Sequence, residues 1–95
     1  MVINKIIKLN LGSGGRPLEG YINVDSNPKA LKVDIVHDLD VYPWPLDNES
    51  IDEVVMDQCL EHLDDHNRAM KEIHRILKRG GVANISVPHF TWQYA

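Results

Sequence analysis

Ninety-five residues with 43% hydrophobic and 25% charged side chains describe one small globular domain, near the lower size at which a core suffices by itself. A net charge of -4 argues against a nucleic-acid or anionic-membrane surface as the main function. The single cysteine, Cys59, excludes an internal disulfide framework and suits a reducing, cytoplasmic setting, and no apolar run reaches the roughly 18–20 residues of a membrane span.

The opening Met-Val-Ile-Asn-Lys has no charged leader ahead of an apolar stretch, so no export signal is expected. Residues 5–11, Lys-Ile-Ile-Lys-Leu-Asn-Leu, predict a first strand that stops abruptly in Gly12-Ser13-Gly14-Gly15. A strand that ends in glycines lets a ligand approach the backbone, because no Cβ stands in the way. In open α/β sheets ligands bind at that place, outside the carboxyl ends of central strands. Residues 21–25, Tyr-Ile-Asn-Val-Asp, predict a second strand before the turn formers Ser-Asn-Pro. Its last residue, Asp25, follows soon enough to reach a ribose in the same crevice.

Residues 29–32 suit one helical turn, and 33–37 a third strand leading into Asp38-Leu39. Pro43-Trp44-Pro45 enforces extended backbone, since each proline lacks an N–H and restricts its predecessor. Residues 51–57 predict a fourth strand. A helix then starts at Asp64 or Asp65, either of which can accept from the first-turn N–H groups. Met70, Ile73 and Leu77 give it an apolar stripe, and Arg75, Lys78 and Arg79 fill its last turn. Gly80-Gly81 is read as its stop, and residues 82–87 as a fifth strand closed by Pro88. The final Phe-Thr-Trp-Gln-Tyr-Ala is too apolar for a free tail and reads as an unfinished element. Strands joined by crossovers imply an α/β, Rossmann-like, mostly parallel sheet. With one helix in view, one sheet face lacks cover, and the link at 12–20 is shorter than a usual parallel crossover. A second copy of the chain, or further residues, is expected to cover that face.

Three cofactor classes use a glycine turn after a strand, and the residues separate them. A phosphate-cradling P-loop needs Gly-Lys-Ser/Thr, which does not occur. A dinucleotide fingerprint needs a third glycine three residues after the second, where Pro17 stands, and a long helix to hold the pyrophosphate. That disfavours a nicotinamide-dependent oxidoreductase. S-adenosylmethionine carries no phosphate and needs backbone room plus a carboxylate for its ribose. Gly-x-Gly alone also suits a turn with no ligand; Asp25 at the end of the next strand tips the balance.

Leu-Asn-Leu-Gly-Ser-Gly-Gly-Arg-Pro-Leu-Glu-Gly-Tyr-Ile-Asn-Val-Asp resembles the first motif and acidic second strand of class I S-adenosylmethionine-dependent methyltransferases, most of all their small methyltransferase-domain group. His37-Asp38-Leu39, the Pro43–Val54 segment, Leu60-Glu61-His62-Leu63, Glu72–Gly81 and Ser86-Val87-Pro88-His89 are similar to successive segments of that group. The resemblance implies that Gly12, Ser13 and Gly14 line the methionine part of the cofactor, and that Asp25 takes both ribose hydroxyls. It implies Asp38 at the adenine amino group, Leu39 against the ring, and Asp57 and Gln58 beside the sulfonium. Asn10 stands where many members carry a carboxylate, and its amide can bond the loop; Ser13 stands where cysteine or another small residue is usual. The implied fold has seven strands in the order 3-2-1-4-5-7-6, of which this chain carries five, 3-2-1-4-5, with the closing hairpin and much of the acceptor pocket outside it.

Glu61-His62-Leu63-Asp64-Asp65-His66 gathers ligand-type groups, but not as His-Glu-x-x-His, and a helix start between the histidines would part them. No metal is expected. His62 is a candidate wall of the cofactor or acceptor site, and His89 a second candidate at the acceptor; no catalytic base is assigned. His37 and His74 read as packing or surface groups. The Arg68–Arg79 cations read as a solvated helix face, Trp44, Phe90, Trp92 and Tyr94 as core or lid, and Cys59 as a small buried hydrophobe. Two functions follow: a methyltransferase-like protein acting on an unidentified small-molecule acceptor, or a non-catalytic cofactor-binding or oligomerisation remnant of that fold.

Overall fold

Side chains alternate in character along the central strands, and in the computed structural model, which describes residues 5–88 and 90–94, that alternation produces a two-faced sheet. The strands are β1 (Lys8–Leu11), β2 (Ile22–Asp25), β3 (Ile35–Val36), β4 (Ile51–Asp57), β5 (Leu77–Val87) and β6 (Phe90–Tyr94). They lie in the order β3-β2-β1-β4-β5-β6. The first five run parallel, in the order read from the sequence. The unfinished element after Pro88 is a sixth strand, antiparallel to β5.

One face is the core. Leu9 and Leu11 of β1, Val24 of β2, Val54 and Met56 of β4, and Ala83 and Ile85 of β5 are all buried there. Register places them side by side, Leu9 beside Val54 and Leu11 between Val24 and Met56. Helix α1 (His66–Ile76) contributes buried Ala69, Ile73 and Ile76 to the same cluster. Burial of such side chains stabilises by roughly 1.5–3 kcal/mol each relative to exposure.

The other face carries Lys8, Asn10, Asn23, Glu53, Val55, Asp57, Asn84 and Ser86 at the intervening positions. Asn10 Nδ2 donates to Asn23 Oδ1 at 2.9 Å, the Tyr21 hydroxyl donates to Glu53 Oε2 at 3.1 Å, and Lys8 Nζ lies 5.3 Å from the centre of the Tyr21 ring. Parallel sheets ordinarily read as apolar on both faces. Here the second face is polar enough to meet water. No helix of the described residues is long and apolar enough to cross a membrane.

The helix departs from its predicted bounds at one end. Asp65 is the N-cap, its side chain accepting from Arg68 N at 3.0 Å. The helix stops at Ile76, not at Gly80-Gly81, because Leu77 is already extended (ψ 135) and pairs with Ile51. Lys78 and Arg79 therefore belong to β5. Between the Ile51–Leu77 and Glu53–Val82 pairs β5 advances five residues while β4 advances two, and Gly80 (φ 84) lies in that irregularity. Residues 29–32 form turns rather than a helical turn, with Lys32 at φ 51.

Candidate functional site

Past Leu11 the chain curls over the end of β2, with Gly12 N and Ser13 N both donating to the Val24 carbonyl, at 2.8 and 2.9 Å. Gly12 has φ 71, and a Cβ there would stand 2.6 Å from Cys59 Sγ. Conformation and packing both demand glycine at this position. The loop beyond is fixed from below by two buried amides. Asn10 Nδ2 also donates to the Arg16 carbonyl at 3.1 Å, and Asn23 Oδ1 accepts from Leu18 N at 3.0 Å. Asn10, 4% exposed, is thus an anchor of the loop.

Asp25, the last residue of β2, accepts from Gly14 N (3.1 Å) on one oxygen and from Asn27 N (3.0 Å) on the other. Each oxygen keeps acceptor capacity for a ligand hydroxyl. Five predicted residues, Gly12, Asp25, Asp38, Leu39 and Gln58, line one crevice of about 330 Å³. His62, on a 3₁₀ turn (Leu60–His62) after β4, lines it too. Ser26, Asp40 and Leu63 also line it, Asp40 repeating the acid of Asp38 two residues on, and so does His37, which the sequence reads as a packing or surface group. Cys59 lies against Gly12 in the same wall, and burial, followed by the charges of Glu61, Asp25 and Asp40, pushes its thiol up to about 11. It is a neutral group at pH 7.

Of the remaining predicted residues, Asn10, Ser13 and Asp57 fall on the other side of Gly12, while Gly14 lines neither hollow and only donates its N–H to Asp25. A second hollow, about 300 Å³, opens on the polar face and is lined by Asn10, Ser13 and Asp57 together with Arg16, Asn84 and Ser86. Arg16 Nη1 donates to Asp57 Oδ2 at 3.3 Å, and the Ser13 hydroxyl is buried without a partner among the described residues. Gly12 borders both hollows. Neighbouring residues Asp57 and Gln58 thus serve different cavities. His89 lies outside the described residues.

Charge decides what the first crevice suits. Among the described residues Asp25, Asp38 and Asp40 line it, no lysine or arginine does, and the cationisable side chains on it are His37 and His62. A phosphate-bearing ligand would meet repulsion there. A neutral nucleoside whose hydroxyl and amino groups donate to carboxylates would not.

A family model described as a methyltransferase domain matches residues 10–85. Among curated proteins none matches the sequence. Among solved structures, a chain from the complex between the Haloferax volcanii Trm112 methyltransferase activator and a methyltransferase superposes with TM-score 0.72 and 24% identity, covering 86% of this chain and 45% of that one. An S-adenosylmethionine-dependent methyltransferase from Thermotoga maritima gives 0.70 and 27%, covering 88% and 45%. One from Methanococcus maripaludis gives 0.70 and 19%, covering 90% and 49%. The chain therefore spans about half the length of these structures. From the glycine loop through the fifth strand, this chain belongs to the methyltransferase domain family.

Proposed function

We propose that the chain binds S-adenosylmethionine in the crevice and serves methyl transfer to a small-molecule acceptor. The observation that carries this is the convergence of Gly12 and Asp25 on one cavity walled by carboxylates and free of lysine and arginine. Asp25 is suited to the ribose hydroxyls, Asp38 to the adenine amino group and Leu39 to the ring. From the crevice the methionine part would pass Gly12 toward the second hollow, along Ser13 and Gly14, with Gln58 on the crevice side of the sulfonium and Asp57 on the hollow side. The Arg16–Asp57 pair offers one charge of each sign to an amino-acid end that carries both. The cofactor supplies an electrophilic methyl group. The protein's task is then largely orientation, since holding acceptor and methyl in line removes much of the barrier. A base is required only when the acceptor must lose a proton; His62 on the crevice wall and His89 beyond β5 are its candidates.

Because the chain spans about half the length of the related structures, the acceptor-side elements are proposed to come from further protein, whether the same polypeptide or a partner. A second copy against the polar face is the homo-oligomeric form of that proposal, and a cytoplasmic setting fits the lone neutral thiol. The same half coverage is what favours a second reading, a cofactor-binding remnant without catalysis.

Calorimetry with S-adenosylhomocysteine tests the central point. One molecule is expected to bind per chain, and Asp25→Ala to weaken it at least about tenfold, the value of a hydrogen bond to a charged group. No heat at millimolar ligand would sink the assignment. Binding with no methyl transfer to any acceptor, even after addition of candidate acceptor-side protein, would favour the remnant.

A further inference from the structure

Trp44 does more than fill the core. It is 2% exposed, yet every polar atom it owns is engaged. Its indole Nε1–H donates to the Leu39 carbonyl at 2.9 Å, and its backbone N donates to Glu72 Oε1 at 3.2 Å. Its carbonyl accepts from Arg75 Nη2 at 3.2 Å. Glu72 sits on the core side of α1, 8% exposed, between Ala69 and Ile73. A carboxylate buried there is costly unless paired. Arg75 pairs with it, and also reaches the Leu46 carbonyl (2.7 Å) and Asn48 Oδ1 (2.9 Å). The helix thus grips the segment around Trp44 through one partly buried ion pair.

The far end of this brace is the crevice. Leu39, whose carbonyl the indole holds, lines the first cavity with Asp38 and Asp40 on either side of it in sequence. The outer edge of that wall has its own ties: Asp64 N donates to Asp40 Oδ1 at 2.9 Å, Asp40 N donates to Asp38 Oδ1 at 2.9 Å, and His37 Nε2 lies 2.9 Å from the Val41 carbonyl. Backbone bonds tie its ends, Val41 N to the Asp38 carbonyl and His37 N to the Asp25 carbonyl, both at 2.9 Å, and the Leu39 side chain is packed in the core; the Leu39 carbonyl itself is held by the indole. Phenylalanine would supply nearly the same buried ring without the donor.

We propose that Trp44 is a positioning residue for the base end of the ligand: its indole N–H fixes the Asp38-Leu39-Asp40 wall, and Glu72 with Arg75 braces Trp44 from the helix. This rests on the nucleoside reading of the crevice, with Asp38 facing an exocyclic amino group. The consequence is selectivity for adenine over a base that carries a carbonyl at that place.

The test compares dissociation constants for S-adenosylhomocysteine and S-inosylhomocysteine by calorimetry. The wild type is expected to prefer the adenine form about tenfold or more, the weight of one hydrogen bond to a carboxylate. Trp44→Phe is expected to narrow the preference to about two- to threefold by loosening the wall. A ratio does not depend on the fraction folded, so a merely structural role for Trp44 would leave it unmoved, and an unmoved ratio overturns the inference. Should Trp44→Phe fail to fold, the wild type decides by NMR. Saturation with S-adenosylhomocysteine is expected to shift the Trp44 indole N–H resonance and slow its solvent exchange, with a smaller response to the inosine form; indifference to both overturns it. Wild type that binds neither ligand removes the cofactor reading itself, whereas binding of both without preference removes only the base-reading wall and this inference with it.

Discussion

Along β4, Val54 and Met56 point into the core with 0% exposure, while Glu53, Val55 and Asp57 between and beyond them face the other way and stay partly exposed. The covered face is apolar throughout and receives α1; the other holds amides, acids and a tyrosine joined by hydrogen bonds. The difference separates two jobs within four strands. Burial on the first face holds the sheet together. The second face holds the loop, through Asn10 and Asn23, and lines the hollow beside Arg16 and Asp57. Gly12 stands where the two meet, its one side on the crevice and its other on the polar hollow.

The largest expected effect breaks that division at adjacent residues. Met56→Ala removes a fully buried side chain and is expected to cost about 2–5 kcal/mol, enough to unfold much of a small domain. Val55→Thr, one residue away on the polar face, should stay within about 0.5 kcal/mol. Urea denaturation of both variants measures the contrast. Equal losses would mean that the second face is covered in solution, as by another copy of the chain.

Next comes the point where the faces join. Gly12→Ala places a methyl against Cys59 Sγ and forces alanine to a φ of 71, which costs roughly 1–2 kcal/mol for the conformation alone and about 1–3 for the overpacking. Cofactor binding is expected to fall more than tenfold, since cradle and crevice share this residue. Adding Cys59→Ala removes the Sγ contact and should return most of the steric part, the Cβ at 3.0 Å remaining, and leave the conformational part. A double variant as unstable as Gly12→Ala would show that Cys59 is not what the new methyl meets.

The crevice was more legible in the sequence than the elements around it. Gly12, Asp25, Asp38, Leu39 and Gln58 do line one cavity, because strand ends in a parallel sheet bring their following residues together whatever the exact bounds. The helix end is less legible: Gly80-Gly81 resembles a helix stop, but pairing of Leu77 with Ile51 draws the chain into extended form first. That is a tertiary contact, and no local signal announces it. The sixth strand did have a signal, the alternation of Phe90, Trp92 and Tyr94 with Thr91 and Gln93, which is a strand period. The polarity of the second face is equally present in the sequence, in Asn10, Asn23, Glu53 and Asn84, and it is why a face without a helix need not be covered. The brace through Glu72 was hidden, since a glutamate on a helix reads as a surface residue until its neighbours Ala69 and Ile73 are seen to be buried.

The smallest expected effect sharpens the account of the polar face. Burial, then the hydrogen bond to Glu53 and its negative charge, raise the Tyr21 hydroxyl above its ordinary 10.0. The folded state thus prefers the neutral phenol, and the contribution is present below pH 10 and lost as pH rises through the raised value. An ultraviolet titration of wild type against Tyr21→Phe isolates this one tyrosine. Glu53→Gln is expected to move its midpoint back toward 10 while stability at pH 7 changes by no more than about 0.5 kcal/mol. A midpoint that stays put would mean that the charge of Glu53 does not reach Tyr21, and that the polar face is a set of separate solvated groups rather than a bonded surface.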